Sequence, residues 1–276
     1  MPDQYGTKQS VHLLWTGGWD STFRLLTLLL VQGRCVQPYY ILDDAQRRAV
    51  PAERAAMQRI RNLIEQRRPE AAARLLSTTE QRRDAVAPDP TIAVHYENCL
   101  RHTVIGGQYE WLARFCKQRG LDGLELSIHR DDKARRLLAS LMGADRYTLD
   151  PRHEGDSRYE LFKYFRYPLF DETKIDMRER TRELGFDEFM QLTWFCHTPR
   201  RGRPCGACNP CIFTIEEGLG ERVPAVGRLR YRVRVIPRLR AWLAQSPRLY
   251  LGVRALYRRL RGGSSGGLKR IADSGG

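Results

Sequence analysis

The sequence lacks any apolar run long enough to cross a membrane. Its longest run, residues 25–31, is interrupted by Thr27 and falls far short of the about 20 residues that a spanning helix needs. Residues 1–10 are polar, and the apolar stretch behind them contains a Gly-Gly pair rather than a cleavage site, so we expect no export signal. These absences predict a cytoplasmic protein, and 276 residues that are 42% apolar are enough to form one α/β domain.

Acidic residues are almost missing from the C-terminal tail, residues 228–276, which has twelve Arg, one Lys and a single acid, Asp273. Most of the net charge of +15 therefore belongs to the tail, and the rest of the chain is nearly balanced. Residues 237–261 predict a helix pair with an apolar and a basic side, before a Gly/Ser linker at 262–267. Three interpretations stay open. The tail packs on the main domain or on a second subunit of a homodimer, it lies on an anionic membrane surface as a peripheral anchor, or it binds nucleic acid.

The N-terminal part of the chain has the pattern of a strand, a loop, a helix and a second strand. Residues 11–15 are apolar and rich in branched and aromatic side chains, residues 21–32 fit a mostly buried helix, and residues 36–42 predict another buried strand. Further helices are predicted at 51–66, 104–119, 131–142 and 173–184, with a strand at 123–128. Alternation of this kind predicts a Rossmann-like, doubly wound α/β fold with a parallel sheet.

The loop after the first predicted strand suits an anion. Its Gly-Gly turn lets backbone N–H groups approach phosphates, and the following helix contributes partial positive charge. Asp20 can hold Mg²⁺ against phosphate oxygens. The loop lacks the lysine of a Walker motif, so transfer of a γ-phosphate is not its obvious chemistry. The candidate nucleotide-binding residues of this loop are Thr16, Gly17, Gly18, Asp20, Ser21 and Thr22.

Polar residues follow two other predicted strands. Asp43 and Asp44 end the second strand, and residues 129–132, His-Arg-Asp-Asp, follow the strand at 123–128. Doubly wound sheets place ligand contacts at these carboxyl ends, so we count Asp43 and Asp44 as candidate contacts to the ribose or the metal. An exposed loop pair remains the alternative.

Four cysteines gather within sixteen residues, in the spacing Cys196-x8-Cys205-x2-Cys208-x2-Cys211. Four thiolates close a tetrahedral zinc site with no open position, which is the arrangement of a structural zinc knuckle. Paired cysteines also serve sulfur transfer, so that interpretation stays open.

Several of these motifs together resemble a known family. Residues 16–22, Thr-Gly-Gly-Trp-Asp-Ser-Thr, resemble the Ser-Gly-Gly-x-Asp-Ser signature of the PP-loop ATP pyrophosphatases, which have the adenine nucleotide α hydrolase-like fold. Segments 44–48, 168–174 and 193–211 are similar to stretches of the 7-cyano-7-deazaguanine synthases, in the same order. The similarity covers roughly residues 10–220.

The resemblance implies an ATP- and Mg²⁺-dependent ligase that forms AMP and pyrophosphate, with Asp20 and Lys174 as catalytic residues and Zn²⁺ on the four cysteines. It would adenylate a small carboxylate and form an amide or a nitrile with ammonia or an amine. It also implies an ATP-binding domain over residues 1–190 and a zinc knuckle and helix over 191–227. The resembled family has no long tail, so the basic tail with its Gly/Ser linker, residues 228–276, is a separate segment on which the resemblance says nothing. The chain departs from the family at 44–45 and 133–138, which predicts a divergent member with a different carboxylate or acceptor. Two alternatives are a non-catalytic protein that binds nucleotide or nucleic acid, and a PP-loop sulfurtransferase.

Overall fold

The computed structural model of the protein describes residues 10–43 and 48–235. Asp44, part of a predicted contact, and the helix pair predicted at 237–261 lie outside these ranges. No helix in the described part of the chain is long and apolar enough to span a membrane.

Five parallel strands form one sheet in the order β3-β2-β1-β4-β5. β1 lies at the centre, and Leu13 pairs with Pro38 of β2 on one side and with Glu125 of β4 on the other. The strands are β1 (Val11–Leu14), β2 (Val36–Leu42), β3 (Thr79–Arg82), β4 (Leu124–Glu125) and β5 (Phe165–Arg166). The strand order reverses direction between β1 and β4, which is where open α/β sheets bind ligands.

Helices cover both faces of the sheet. The first half of the chain supplies α1 (Trp19–Leu26), which continues as a wider π-helical turn over Thr27–Val31, and α2 (Val50–Arg67), α3 (Pro69–Ala72), α4 (Pro90–Leu100) and α5 (Gln108–Arg119). The second half supplies α6 (Lys133–Leu138), α7 (Ser157–Phe162), α8 (Lys174–Glu183), α9 (Asp187–Met190), α10 (Asn209–Thr214) and α11 (Ala225–Val235).

Two hydrophobic cores result from the alternation of side chains along β2. Tyr40 faces the core under α1, α2 and α9, whereas Tyr39 and Ile41 face the core under α5, α6 and α7. Burial on both faces explains why β2 reads as an almost continuous apolar run. The chain is therefore an α/β protein with an all-parallel sheet, consistent with the Rossmann-like fold that the sequence predicts.

Several predicted boundaries need correction. The helix predicted from residue 104 begins at Gln108, because Gly106 and Gly107 precede it, and the strand predicted at 123–128 shrinks to Leu124–Glu125. β3 and α4 were not predicted, and α11 runs across the expected boundary between residues 227 and 228.

Candidate functional site

The loop at residues 15–18 joins the carboxyl end of β1 to the first turn of α1. Gly17 has a positive φ of +69°, and a Cβ built there would lie 3.0 Å from Met57 Cγ and 3.1 Å from the Glu53 carbonyl oxygen. A side chain at this position would therefore meet α2 as well as strain the backbone. The glycine lets α2 press against the loop from behind and hold it at the end of the sheet.

Two small cavities open beside this loop, and Thr16 lines both of them. The first, which we call the loop cavity, is about 170 Å³ and lies between the loop, α8 and the segment 194–222. The second, the sheet-edge cavity, is about 210 Å³ and lies between the ends of β1, β2 and β4 and helix α5. Both therefore lie at the point where the strand order reverses.

Asp20 and Lys174 meet in the loop cavity, as the sequence predicts for a shared site. Lys174 Nζ lies 3.7 Å from Asp20 Oδ2 and donates a hydrogen bond of 2.5 Å to Glu217 Oε2. Burial alone would lower the pKa of Lys174, but the carboxylates of Asp20 and Glu217 outweigh it and raise the pKa above the ordinary value. The ammonium is therefore charged at neutral pH.

Two polar atoms of this cavity are buried without a hydrogen-bond partner, Asp20 Oδ1 and Trp19 Nε1. A buried carboxylate oxygen or indole N–H that bonds nothing costs about 1–3 kcal/mol. Such groups are typical of places where a ligand or an ion completes the bonding. Asp20 and Trp19 both line the loop cavity, so each brings one unsatisfied polar atom, an acceptor and a donor respectively, to this part of the structure.

Aromatic rings and an arginine form the outer wall of the loop cavity. Arg222 lies 5.0 Å from the Trp19 ring centroid and 5.1 Å from that of Phe195, and its Nη2 donates to both the carbonyl and the hydroxyl of Thr193 at 2.7 Å. Burial lowers the pKa of Arg222 to about 10, which still leaves the guanidinium charged at neutral pH. Trp194 completes this wall. The wall can hold a flat, negatively charged group.

The hydroxyls of the loop have different surroundings. Ser21 Oγ lies 3.4 Å from the backbone N of Thr16 and 3.5 Å from its Oγ1, so these two side chains are together at the mouth of the loop. Thr22 is fully buried and accepts a hydrogen bond of 3.1 Å from Trp15 Nε1. Thr22 therefore anchors α1 to the end of β1, on the side of the helix that faces the core.

The residues that follow the other strands are less closely grouped. Asp43, at the end of β2, forms an ion pair with Arg83 at 3.1 Å. His129 is buried and accepts from the backbone N of Asp131, and Asp132 caps α6 by accepting from Ala134 N at 3.0 Å. Of these residues, Asp132 lines the sheet-edge cavity.

The sheet-edge cavity exposes polar and apolar surface in nearly equal parts. Ser127 Oγ is buried there without a hydrogen-bond partner. Its other lining residues are Leu14, Thr16, Ile41, Gln108, Tyr109, Trp111, Leu112, Leu126, Ile128 and Asp132. A cavity with both kinds of surface can hold a small molecule that has an apolar ring and polar substituents.

The four predicted metal ligands lie together. Their sulfurs are all within 4.8 Å of one another, and two of the separations, Cys205 to Cys211 and Cys196 to Cys208, are 3.9 Å. Zn–S bonds of about 2.3 Å in a tetrahedron place the sulfurs about 3.8 Å apart. The cluster therefore fits a metal ion such as zinc, and none of the four cysteines is in a disulfide.

Backbone groups prepare this cluster for negative charge. Cys205 N donates to Cys196 Sγ at 3.2 Å, and the N–H groups of Ala207 and Cys208 donate to Cys205 Sγ at 3.3 Å. Hydrogen bonds to sulfur stabilise the negatively charged thiolate over the neutral thiol. They also stabilise the negative charge of a thiolate that is bound to a metal ion.

The cysteine cluster connects directly to the loop. Trp194, two residues before Cys196, donates its backbone N–H to the Gly17 carbonyl at 2.8 Å, and its indole N–H to the Cys196 carbonyl at 2.8 Å. Trp194 thus joins the loop at residues 15–18 to the cysteine cluster, although the two lie far apart in the sequence.

Sequence reasoning missed three residues that line the loop cavity, Glu53, Trp194 and Arg222. It also missed Glu217, which accepts the hydrogen bond from Lys174. Glu53 is only 4% exposed and accepts a hydrogen bond from the Tyr40 hydroxyl. An acidic residue on the inner side of α2 was the signal available for Glu53. Glu217 and Arg222 gave no signal, because charged residues in short C-terminal helices are usually on the surface.

No protein-family model matches the chain, and no curated protein matches it.

Proposed function

We propose that the chain is a PP-loop ATP pyrophosphatase that acts as an AMP-forming ligase, similar to the 7-cyano-7-deazaguanine synthases and divergent from them. The observation that carries this proposal is the unpartnered, buried Asp20 Oδ1 at the loop, with the charged Lys174 3.7 Å from the other oxygen of the same carboxylate. A carboxylate and an ammonium in one cavity at the switch point of the sheet suit a nucleotide with its cation.

The phosphates of ATP would lie at the start of α1. The hydroxyls of Thr16 and Ser21 and the first N–H groups of the helix supply donors there, and Lys174 supplies positive charge. Asp20 would hold Mg²⁺, which neutralises charge on the phosphate oxygens. The unpartnered Oδ1 supports this role, because it is the kind of hard oxygen ligand that Mg²⁺ prefers.

The adenosine would occupy the sheet-edge cavity. Leu126 and Ile128 offer apolar surface to a base, and the unpartnered Ser127 hydroxyl offers a hydrogen bond. Because Thr16 lines both cavities, a nucleotide can extend from this cavity towards the loop cavity without leaving the surface of the loop.

The carboxylate substrate would lie against the aromatic wall of the loop cavity, with Arg222 opposite its charge. One carboxylate oxygen attacks the α-phosphorus of ATP, and the bond from that phosphorus to the pyrophosphate oxygen breaks. Ammonia or an amine then attacks the acyl carbon, loses a proton, and AMP leaves with the electron pair of the acyl–oxygen bond. The product is an amide, and a second ATP would allow its dehydration to a nitrile.

The metal of the cysteine cluster would have a structural role in this scheme. Four sulfurs leave no open position for a substrate, and the hydrogen bond from Trp194 to Gly17 transmits the position of the cluster to the loop.

The direct test is product analysis. The purified chain is incubated with ATP, Mg²⁺, ammonia and a panel of planar carboxylates, and AMP, pyrophosphate and any new product mass are measured. We expect AMP and pyrophosphate in equal amounts. Asp20→Asn should abolish their formation, whereas Asp122→Asn should not, because that side chain is 83% exposed in the turn before β4.

Three results would count against the ligase. ATP binding without turnover on any carboxylate would favour a non-catalytic nucleotide-binding protein. Release of ADP and phosphate would mean that ATP is cleaved at its γ-phosphorus, whereas the proposal requires attack at the α-phosphorus. A metal-free protein carrying a persulfide on one of the four cysteines would favour a sulfurtransferase instead.

A further inference from the structure

A third cavity lies along α2, between that helix and the residues that lead into β3. Its volume is about 560 Å³, larger than that of the loop cavity or the sheet-edge cavity, and we call it the α2 groove. Met57 lines it, and the Cγ of the same residue lies 3.0 Å from a Cβ built at Gly17. Helix α2 therefore borders both the loop at residues 15–18 and this groove.

Side chains that can donate hydrogen bonds dominate the lining of the α2 groove. Five of its residues carry such groups, namely Arg54, Gln58, Arg61, Ser77 and Thr78. The one acid in the lining is Glu80, and its carboxylate accepts a bidentate hydrogen bond from Arg54, with 3.0 Å between Arg54 Nε and Glu80 Oε1. This ion pair cancels one positive charge, so the groove keeps the charge of the other arginine, Arg61.

Arg61 is half-buried and its guanidinium is held in place by neutral groups. Its Nη2 donates to the Leu76 carbonyl at 2.6 Å and to Thr78 Oγ1 at 2.9 Å, and its Cζ lies 5.4 Å from the centroid of the Trp15 ring. Burial lowers the pKa of Arg61, and no carboxylate in the described part of the chain offsets this. A guanidinium that is withdrawn from water without a countercharge is stabilised by a bound anion.

The sheet holds the other wall of the groove. Gln37 of β2 donates its side-chain amide to the Ser77 carbonyl at 2.9 Å and to Thr79 Oγ1 at 3.2 Å, which fixes the backbone on both sides of Thr78. The Ser77 side chain is exposed, so its hydroxyl is accessible from the groove. A planar guanidinium and hydroxyl groups on a fixed backbone are donors that suit the oxygens of a phosphoryl group.

We propose that the α2 groove binds a small phosphoryl anion, either free phosphate or the phosphate of a phosphomonoester. The guanidinium of Arg61 neutralises the charge of this anion, and the hydroxyls of Ser77 and Thr78 donate to its oxygens. The groove takes one such group rather than the phosphate row of a nucleic acid, because Arg61 is the single cation of its lining without a carboxylate partner among the described residues. This site is separate from the loop, and the proposal is independent of the ligase activity.

The test is an NMR titration of the isotope-labelled full chain with inorganic phosphate at constant ionic strength. We expect saturable shifts of the backbone amides of Ser77 and Thr78 and of the Arg61 Nε–H signal. The amides of Gly17 and Gly18 report separately on phosphate at the loop. A second titration uses glycerol 3-phosphate. Tighter binding than that of phosphate would identify a phosphomonoester as the ligand, and equal or weaker binding would identify free phosphate.

Variants of α2 separate the groove from general charge. Arg61→Met removes the charge but keeps an unbranched side chain over Trp15, and should weaken phosphate binding at the groove by about tenfold to a hundredfold, because a charged donor is lost. Arg59→Met is the matched control. It removes the same charge from an exposed residue of the same helix outside the groove, and should leave the affinity nearly unchanged. Ser77→Ala changes only an exposed side chain and should weaken binding by a few-fold, which keeps a test available if Arg61→Met does not fold.

Three results would overturn the proposal of a phosphoryl site in the α2 groove. The first is the absence of saturable shifts at Ser77 and Thr78, and the second is a set of shifts confined to Gly17 and Gly18. The third is an Arg61→Met variant that is folded by circular dichroism and binds phosphate as the parent chain does. None of these results bears on the cleavage of ATP, which the product analysis tests separately.

Discussion

Replacing Gly206 by alanine should destabilise the cysteine cluster far more than the same replacement at Gly202. Both glycines have φ of +72°, so both alanines carry the cost of a left-handed backbone, about 1–2 kcal/mol. They differ in their surroundings. A Cβ at Gly202 meets nothing within 4 Å, whereas a Cβ at Gly206 would lie 2.0 Å from the Gly227 carbonyl oxygen and 2.4 Å from Gly227 Cα.

The clash at Gly206 is with backbone, so no side-chain rotation can relieve it. Helix α11 must move outward, and the hydrogen bond of 3.1 Å from Arg230 to the Cys205 carbonyl stretches with it. Forcing extra atoms into a packed contact costs about 1–3 kcal/mol. We therefore expect Gly206→Ala to lose about 2–5 kcal/mol of unfolding free energy, against about 1–2 kcal/mol for Gly202→Ala.

Thermal unfolding measures the loss of stability in the two variants, and metal analysis measures the loss of metal binding. In a domain of this size about 1 kcal/mol shifts Tm by about 2–4 °C, so the two variants should be well separated. Gly206→Ala should also bind its metal more weakly, since it displaces the turn between Cys205 and Cys208. Equal losses of Tm in the two variants would refute the reasoning, because the close approach of α11 would then carry no cost.

Further predictions concern buried charges, a helix cap and the cluster. Arg24→Met should cost about 3–5 kcal/mol in denaturant unfolding, because Glu125, fully buried, keeps only the hydroxyl of Tyr147 at 2.7 Å. Thr173→Ala should cost about 1 kcal/mol by removing the cap of α8. The fold raises the pKa of Lys174 above its ordinary value of 10.5, so the charged side chain contributes its full stabilisation below that pH. The difference in unfolding free energy between the parent chain and Lys174→Met should therefore shrink as the pH rises above 10.5, as denaturant unfolding at a series of pH values would show. Elemental analysis should find bound metal in the parent chain and none in Cys208→Ser, because this substitution removes one of the four sulfurs.

The parts of the fold that the sequence predicted well are those with a strong apolar pattern. β2 was predicted at its observed bounds, because burial on both faces makes residues 36–42 a nearly unbroken apolar run. The helices predicted at 51–66 and 173–184 also match the structure closely. In each case neighbouring residues alone carry the information.

β3 was missed for the opposite reason. Its four residues, Thr-Glu-Gln-Arg, are polar because the strand is at the edge of the sheet and is only half buried. The strand exists because it pairs with Tyr39 to Leu42 of β2, which no local pattern reveals. The short β4 was predicted too long, since its apolar run continues into the loop that lines the sheet-edge cavity.

The candidate site divides in the same way. The sequence indicated the loop, Lys174 and the four cysteines, and the structure brings Asp20 to Lys174 and the four sulfurs to one another. It could not indicate that Glu217 bonds Lys174, or that Arg222 lies between two aromatic rings, because these contacts depend on tertiary packing. Whether the site binds ATP stays a prediction.

The hydrogen bond between Trp194 and Gly17 has a consequence for how the protein is made. Synthesis delivers the loop at residues 16–22 early, but the wall of its cavity comes from residues 194–222, which leave the ribosome much later. A chain released before Trp194 would contain every strand of the sheet and the whole loop, yet only half of the cavity. Premature termination in the last third of the message would therefore produce a chain with its sheet but without a closed site.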